Sequence, residues 1–320
     1  MQSNASHYRT FRTGFSQIEL LVVIGVLALL LAFLLVAVQK PRETARRLDC
    51  SSRLRQIGIA VESYVDLHRM YPTAVNGNWS TMLLSLLGYP NEEAQWKEII
   101  AGRVPLEELS PVPMYRCPTD PMAVDNRVVL SYNMNDGEHQ QVCQCCNGLH
   151  HSCGKDWILA PVAPGDVTDG LAQTAAFSEM LVLDNAVVSG LPSDQPALWP
   201  RLVRDVPIPT LKPTAADYQQ FRDNCKERAL PPGSAWSYAT GSPFSLTGPW
   251  YNHIMTPNQN SCYSGGLIWY HAYTANSLHP NGVNVLFADS SVHFIANEVD
   301  EKVWHAMGTR NGGEVYSIEF

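Results

Sequence analysis

Gly14-Phe15-Ser16-Gln17-Ile18-Glu19 runs directly into Leu20–Val38, nineteen residues without a charge. A helix needs about 20 apolar residues to cross the hydrocarbon core, so this stretch reads as a membrane span. Its one carboxylate, Glu19, stands at the lip, where an ionised group is costly and marks a functional site by default. A secretory signal would end a shorter apolar core in a small-x-small cleavage site. Here Gln39-Lys40-Pro41-Arg42 follows instead and offers none. The glycine lies ahead of the span, so a cut there removes a leader carrying Arg9 and Arg12 and leaves the helix whole. Charge does not orient the segment. Two basic residues precede it and four follow by Arg47, opposite to the positive-inside bias.

This Gly14-Phe15-x-x-x-Glu19 pattern resembles the type IV prepilin signal of pilins and secretion-system pseudopilins. The resemblance implies cleavage between Gly14 and Phe15 by a prepilin peptidase and methylation of the new amine. It also implies pairing of Glu19 with the Phe15 amine of a neighbouring subunit.

Beyond the membrane Ala45, Leu48, Leu54, Ile57, Val61, Tyr64 and Val65 recur at helical spacing, with Arg46, Arg47, Arg53, Arg55 and Glu62 between them. Such an amphipathic stripe is one that a folded domain covers. A single helix of about 50 residues from Phe15 to near Leu67 is expected. A hinge at Pro41 between two helices is the alternative, because proline removes a donor and clashes with the preceding turn. The chain then divides into a leader (1–14), the transmembrane half of the helix (15–39), its amphipathic continuation (40–68) and an extracytoplasmic domain (69–320). The fold class is α+β. Pilin-like proteins are built in this way, with a long N-terminal helix, membrane-embedded in its first half, packed against an antiparallel sheet that carries loop-rich insertions.

From Gln56 onward there are 14 Lys/Arg against 27 Asp/Glu, a net charge of −13. That surface repels phosphate backbones, which argues against a nucleic-acid partner. Eight cysteines beyond a membrane lie where disulfides form and persist. Trp79 to Leu87 suggests a short helix closing at Gly88, and residues 91–109 suggest an acidic one. Arg127–Tyr132 and Ala175–Leu183 read as strands, the first entering a turn at Asn133–Gly137. Residues 185–235 are proline-rich and read as a loop insertion. Val283, Val285 and Phe287, then Val292 and Phe294, alternate around Asp289-Ser290 as a hairpin. Asn297 is placed to cap a helix in which Val299, Val303, Trp304 and Met307 share a face, closed by Gly308. Asn311-Gly312-Gly313 would turn into a last strand, Glu314–Phe320.

That C-terminal passage, from His279 through Gly282 to Asp289 with nine residues between the histidine and the aspartate, resembles domain-of-unknown-function family 1559. These pilin-like proteins are numerous in planctomycetes and tagged by an H-x9-DG signature spanning 279–290 here. Cys117-Pro118-Thr119-Asp120-Pro121, Ser131-Tyr132-Asn133, Asp169-Gly170 with Thr174 and Glu179, Tyr251-Asn252-His253 with Pro257-Asn258 and Cys262, and Gly308-Thr309-Arg310-Asn311-Gly312-Gly313-Glu314 extend the resemblance. Asn281 and Ser290 stand where the family has glycine. A turn there is less comfortable, since glycine reaches positive φ without cost and other residues do not. The resemblance implies no activity.

His279 and Asp289 invite a catalytic reading, an imidazole oriented by a carboxylate. An Asx turn at Asp289 and a loop-tying role for His279 compete with it and are preferred. Cys143, Cys145, Cys146, His150, His151 and Cys153 crowd into eleven residues. They suit zinc or copper, or else two disulfides, and the oxidising compartment favours the disulfides. Cys225 and Cys262 fall in family-like surroundings and form the first long-range candidate pair, with Cys50 and Cys117 as the second. Trp236, Tyr238, Trp250, Tyr251, Tyr263, Trp269, Tyr270 and Tyr273 read first as core. Beside Asn252, Asn258, Asn260 and Asn276 they also offer stacking faces for sugars. Asp166/Asp169 and Asp120/Asp125 lack EF-hand spacing and read as turn caps rather than calcium ligands. The expectation is a non-enzymatic, single-pass protein of the cytoplasmic membrane, without a cofactor, that assembles with pilin-like subunits through its helix. A monomeric anchored module binding glycan or a metal ion is the alternative.

Overall fold

The computed structural model describes residues 16–72, 79–104, 108, 110–120, 130–138, 147–150, 152–153, 159–180, 203–206, 214–227, 250–264, 270–314 and 316. Helix α1, Gln17–His68, runs unbroken for 52 residues with Pro41 inside it, so the two-helix alternative does not hold. Ser16 and Glu19 close its N-terminus reciprocally. The Glu19 amide donates to Ser16 Oγ at 3.4 Å and the Ser16 amide to Glu19 Oε2 at 2.9 Å. This is a capping box, which satisfies two of the amides a helix start leaves orphaned. The chain forms two compact units, 1–45 and 46–320. In the first, residues 17–34 have a mean hydropathy of 2.6 and none is buried, which makes this stretch long and apolar enough to cross a membrane.

In the second unit α1 turns one face inward. Cys50, Leu54, Ile57, Ala60 and Val61 are buried at spacings of three and four, while Leu48, expected on that face, is 60% exposed. Each fully buried Leu or Ile contributes about 1.5–3 kcal/mol. These side chains meet Trp79, Tyr115, Tyr132, Met134, Phe177 and Leu286 in the first core cluster. Trp79 opens the short helix α2 (Trp79–Met82), and α3 (Pro90–Ile100) follows with proline in its first turn, where a missing N–H costs nothing.

A five-stranded sheet lies under that cluster. It comprises β1 (Tyr132–Asn135), β4 (Ala175–Glu179), β6 (Trp250–Tyr251), β9 (Gly282–Phe287) and β10 (Val292–Ala296), in the order β10-β9-β4-β1-β6. Every pairing is antiparallel except β1 with β6. Strand alternation sends Val283, Val285 and Phe287 to the opposite face. There they join Trp304 and Met307 of α5 (Glu301–Gly308) in a second cluster. The ribbon of β2 (Ser152–Cys153) and β3 (Leu159–Ala160) is separate. So is a three-stranded sheet of β5 (Val203–Asp205), β7 (Ser261–Ser264) and β8 (Tyr270–Ala272). A third cluster joins Ile254, Met255, Cys262 and Ala272 to Phe221 and Cys225 of α4 (Ala215–Glu227).

Several elements differ from the sequence reading. Asn133–Gly137 is not simply a turn, because β1 runs on through Asn135. The buried Asn135 amide donates to the carbonyls of Ala175 (2.8 Å) and Gly308 (2.9 Å), so a turn-forming residue is spent on knitting the sheet to α5. The 185–235 insertion contains β5 and α4, the latter started by a Thr214/Asp217 capping box that the surrounding prolines obscure. Asp300, not Asn297, caps α5, accepting from the amides of Lys302 and Val303. Asn297 is otherwise engaged, its Oδ1 taking a bond from Asn258 Nδ2 at 2.7 Å. Glu314 and Tyr316 are outside any strand, and the rest of the expected final strand lies outside the described residues. The hairpin pairs Leu286 with Val292 and Gly282 with Ala296. Asn281 and Ser290, which stand where the resemblance implies glycine, both sit at positive φ (67° and 64°).

Gly308 ends α5 against His253. A Cβ at 308 would lie 2.5 Å from His253 Cβ. Helix propensity favours alanine there by about 1 kcal/mol, but a clash between atoms held to the backbone outweighs it. Gly308→Ala is expected to destabilise the chain by about 1–3 kcal/mol, read as a lower urea midpoint at unchanged slope. A raised midpoint would show that the close approach yields.

Candidate functional site

Histidine 279 lies on the loop leading into β9 and its imidazole is completely buried. Its Nε2 is 3.2 Å from Glu179 Oε1, also completely buried, at the end of β4. Asp289 is not its partner. That carboxylate is exposed and accepts from the Ser291 amide (3.0 Å) and hydroxyl (2.6 Å), stapling the hairpin turn. Asp289 thus forms the Asx turn that competed with the catalytic reading, and the acid beside His279 is Glu179. Gly282 fits its role sterically, since a Cβ there would come within 2.3 Å of the Ile295 carbonyl.

Within β9, Asn284 holds Glu179. The Asn284 backbone amide donates to Oε2 at 2.8 Å and its side-chain amide to Oε1 at 2.9 Å. A buried polar residue in the otherwise apolar run Gly282–Phe287 was the sequence signal for this partner, and it was missed. The His279 amide donates to Ser277 Oγ (3.1 Å), which donates in turn to the Gly282 carbonyl (2.7 Å), fixing the loop that carries the imidazole.

Two sulfurs complete the cluster. Cys50 on α1 and Cys117, just past the 3-10 turn Pro113–Tyr115, form a disulfide with Cα atoms 5.3 Å apart. Arg53, one turn along α1, fixes this approach by donating to the carbonyls of Pro113 (2.7 Å) and Arg116 (2.6 Å). Cys117 Sγ lies 3.9 Å from His279 Nε2 and 2.9 Å from Thr119 Oγ1. One ligand atom from each of Cys50, Cys117, Glu179 and His279 falls within 4.8 Å of the others, and all four residues are buried. Asp120 is buried just beyond, accepting from Ser131 Oγ at 3.0 Å. The second disulfide, Cys225–Cys262, joins α4 to β7. Closing loops of 67 and 37 residues, these crosslinks stabilise by about 4 kcal/mol each in the chain-entropy account. Disulfides persist outside the cytoplasm, so they point to an extracytoplasmic domain.

The remaining candidates fall elsewhere. Gly14, Phe15, Cys143, Cys145, Cys146, His151, Asp125, Trp236, Tyr238 and Trp269 lie outside the described residues. His150 is buried with its Nδ1 3.3 Å from Asp136 Oδ1, and Cys153 belongs to β2. Asp169 accepts from the amides of Gly312 (2.8 Å) and Gly313 (2.9 Å), and Asp166 from that of Ala163 (2.8 Å), so both carboxylates serve backbone turns. Tyr251 and Tyr273 are core residues. Asn252, Asn260 and Asn276 spend their amides on the carbonyls of His271, Cys225 and Thr274 rather than facing a sugar.

Within the Tyr251-Asn252-His253 segment, His253 stacks on Trp304 at 4.0 Å, places Nδ1 2.7 Å from the Trp304 carbonyl and Nε2 3.0 Å from the Tyr251 hydroxyl. A carbonyl only accepts, so Nδ1 carries the proton and the ring is neutral, with Nε2 accepting from Tyr251. Burial pushes His253 down to about 3, and His271 likewise.

The chain belongs to the family described as proteins of unknown function, DUF1559, whose model matches residues 39–302. The match takes in the whole Cys50–Cys117–Glu179–His279 cluster and stops within α5. No curated protein and no solved structure matches the chain.

His253 and His271 set a pH dependence. Their folded values lie below the ordinary 6.5, so the unfolded chain binds more protons between pH 6.5 and 3. Their contribution is complete above about pH 6.5 and is lost as pH falls towards 3, at up to about 1.4 kcal/mol per pH unit per histidine. Urea midpoints of the wild type are therefore expected to fall steeply between pH 6 and 4. His253→Gln should be less stable at neutral pH and show a shallower acid slope. Equal slopes in the two proteins would refute this assignment.

Proposed function

We infer that the protein is a pilin- or pseudopilin-like structural subunit, non-enzymatic, anchored in the cytoplasmic membrane and assembled with similar subunits through α1. The observation that carries this reading is α1 itself. One continuous helix supplies an uncovered apolar stretch at residues 17–34 and, from Cys50 onward, the central element of a folded core. The Gly14-Phe15 junction ahead of it suits a prepilin peptidase working at the membrane surface. The two disulfides suit a domain outside the cytoplasm.

The capping box favours a second reading. Glu19 already has a task within its own chain, since it caps the helix with Ser16. A monomeric anchored module needs Glu19 only for that cap, whereas an assembling subunit needs its charge to meet a neighbour's amine. Glutamine serves a capping box nearly as well as glutamate but carries no charge. In crosslinked native membranes, Glu19→Gln and Glu19→Ala are both expected to cut high-mass assemblies by at least about a hundredfold. That is the weight of leaving one charge of a buried pair alone. A Glu19→Gln protein that assembles like the wild type would instead assign Glu19 to the cap and favour the monomeric anchor.

Processing gives an independent check. Intact-mass analysis of the native membrane fraction should show a chain beginning at Phe15 with one added methyl group. A predominance of chains retaining Met1 or Gln2 would count against the prepilin reading.

A further inference from the structure

The Cys50–Cys117 disulfide has two neighbours that a plain crosslink does not require. A buried disulfide is apolar and is satisfied by apolar packing. Here a completely buried carboxyl group and a completely buried imidazole converge on it, and polar groups are costly to take out of water. Both are oriented by further bonds. Asn284 grips Glu179 with two N–H groups, Ser277 holds the His279 loop, and Thr119 touches the Cys117 sulfur. Ligands aimed at a common point and backed by a hydrogen-bonded outer shell are how proteins hold metal ions.

We propose that Cys50, Cys117, Glu179 and His279 form a Zn2+ site when the disulfide is reduced, so that the same core junction closes in two ways. Zinc takes sulfur, nitrogen and oxygen donors in one tetrahedral shell at about 2.0–2.3 Å and has no redox chemistry of its own. Donor atoms already within 4.8 Å of one another need only small side-chain rotations to reach such a shell. Two thiolates and one carboxylate carry three negative charges against the ion's two. The Asn284 N–H groups and the Thr119 hydroxyl are placed to stabilise the excess. The site differs from the Cys143–Cys153 loop in every ligand and draws on four separated segments, α1, the Cys117 turn, β4 and the loop before β9.

The chemistry balances with a trialkylphosphine as reductant. Phosphorus attacks one sulfur and breaks the S–S bond, water supplies oxygen to the phosphine oxide, and both cysteines leave as thiols. Zinc binding then displaces two thiol protons, so affinity rises with pH.

The test uses the full chain in detergent, with Cys143, Cys145, Cys146 and Cys153 replaced by serine so that the loop takes up no metal. After phosphine reduction the chain is expected to retain one Zn2+ through gel filtration, and the unreduced chain none. Co2+ should give thiolate charge-transfer absorption together with tetrahedral visible bands. Cys50→Ser should abolish this binding, and His279→Gln and Glu179→Gln should each weaken it at least about tenfold. Near-ultraviolet dichroism of each oxidised variant shows whether it has folded. A measurement without ligand variants guards against misfolding: Zn2+ should slow alkylation of Cys50 and Cys117 in the reduced chain at least about tenfold and leave Cys225 and Cys262 unaffected. Zinc retention that survives Cys50→Ser, or equal alkylation with and without Zn2+, overturns the proposal.

Discussion

A carboxyl group taken wholly out of water must be met by hydrogen-bond partners, and Glu179 imposes that condition on the centre of this domain. It is met by two N–H groups of Asn284 and by the His279 ring. Those bonds register β9 against β4 and draw in the loop before β9, while the Glu179 carbonyl accepts from Asn276. Stripping one partner from such a buried set costs about 3–5 kcal/mol, a large part of the 5–15 kcal/mol that holds an ordinary domain together. The apolar clusters supply most of the stabilisation.

The sheet is covered on both sides, and β9 shows how one strand serves two cores. Val283, Val285 and Phe287 belong to the cluster with α5, and Leu286 to the cluster with α1. Asn284 shares the parity of Leu286, so the face towards α1 carries the polar knot beside its apolar contacts. This explains why Cys50, a helix residue, lies beside Glu179 and His279. The arginine one turn along from it, Arg53, sits at the rim and holds the Cys117 segment by its carbonyls.

Features that arise from local periodicity were legible in the sequence. The long helix, the 282–296 hairpin and the apolar face of α5 follow from spacings of 3.6 and 2. Features created by distant side chains were not. Asn135 reads as a turn residue until its amide is seen to reach Ala175 and Gly308, and Asn297 reads as a cap until Asn258 is seen to hold it. His279 is legible as a loop-tying residue, but its acid is not legible from the motif that carries it. The true partner is a hundred residues upstream, in a segment noted for its resemblance and not for chemistry. Leu48 fits the helical stripe and is nevertheless exposed, because among the described residues of α1 full burial begins only at Cys50. Ser16-x-x-Glu19 spells a capping box, a local signal that the long apolar run beside it masks.

Among the described residues of α1, Cys50 is also the first buried one met on travelling from its apolar end. Tension applied at that end therefore reaches a covalent bond before it reaches Leu54, Ile57, Ala60 or Val61. The helix cannot be peeled from the sheet one contact at a time, as a helix held only by side-chain packing can. Load passes from Cys50 into Cys117, and the 67-residue separation between them locks away about 230 Å of chain that would otherwise pay out under force. Traction on such a helix would find its mechanical anchor at the place where the domain's buried polar groups converge.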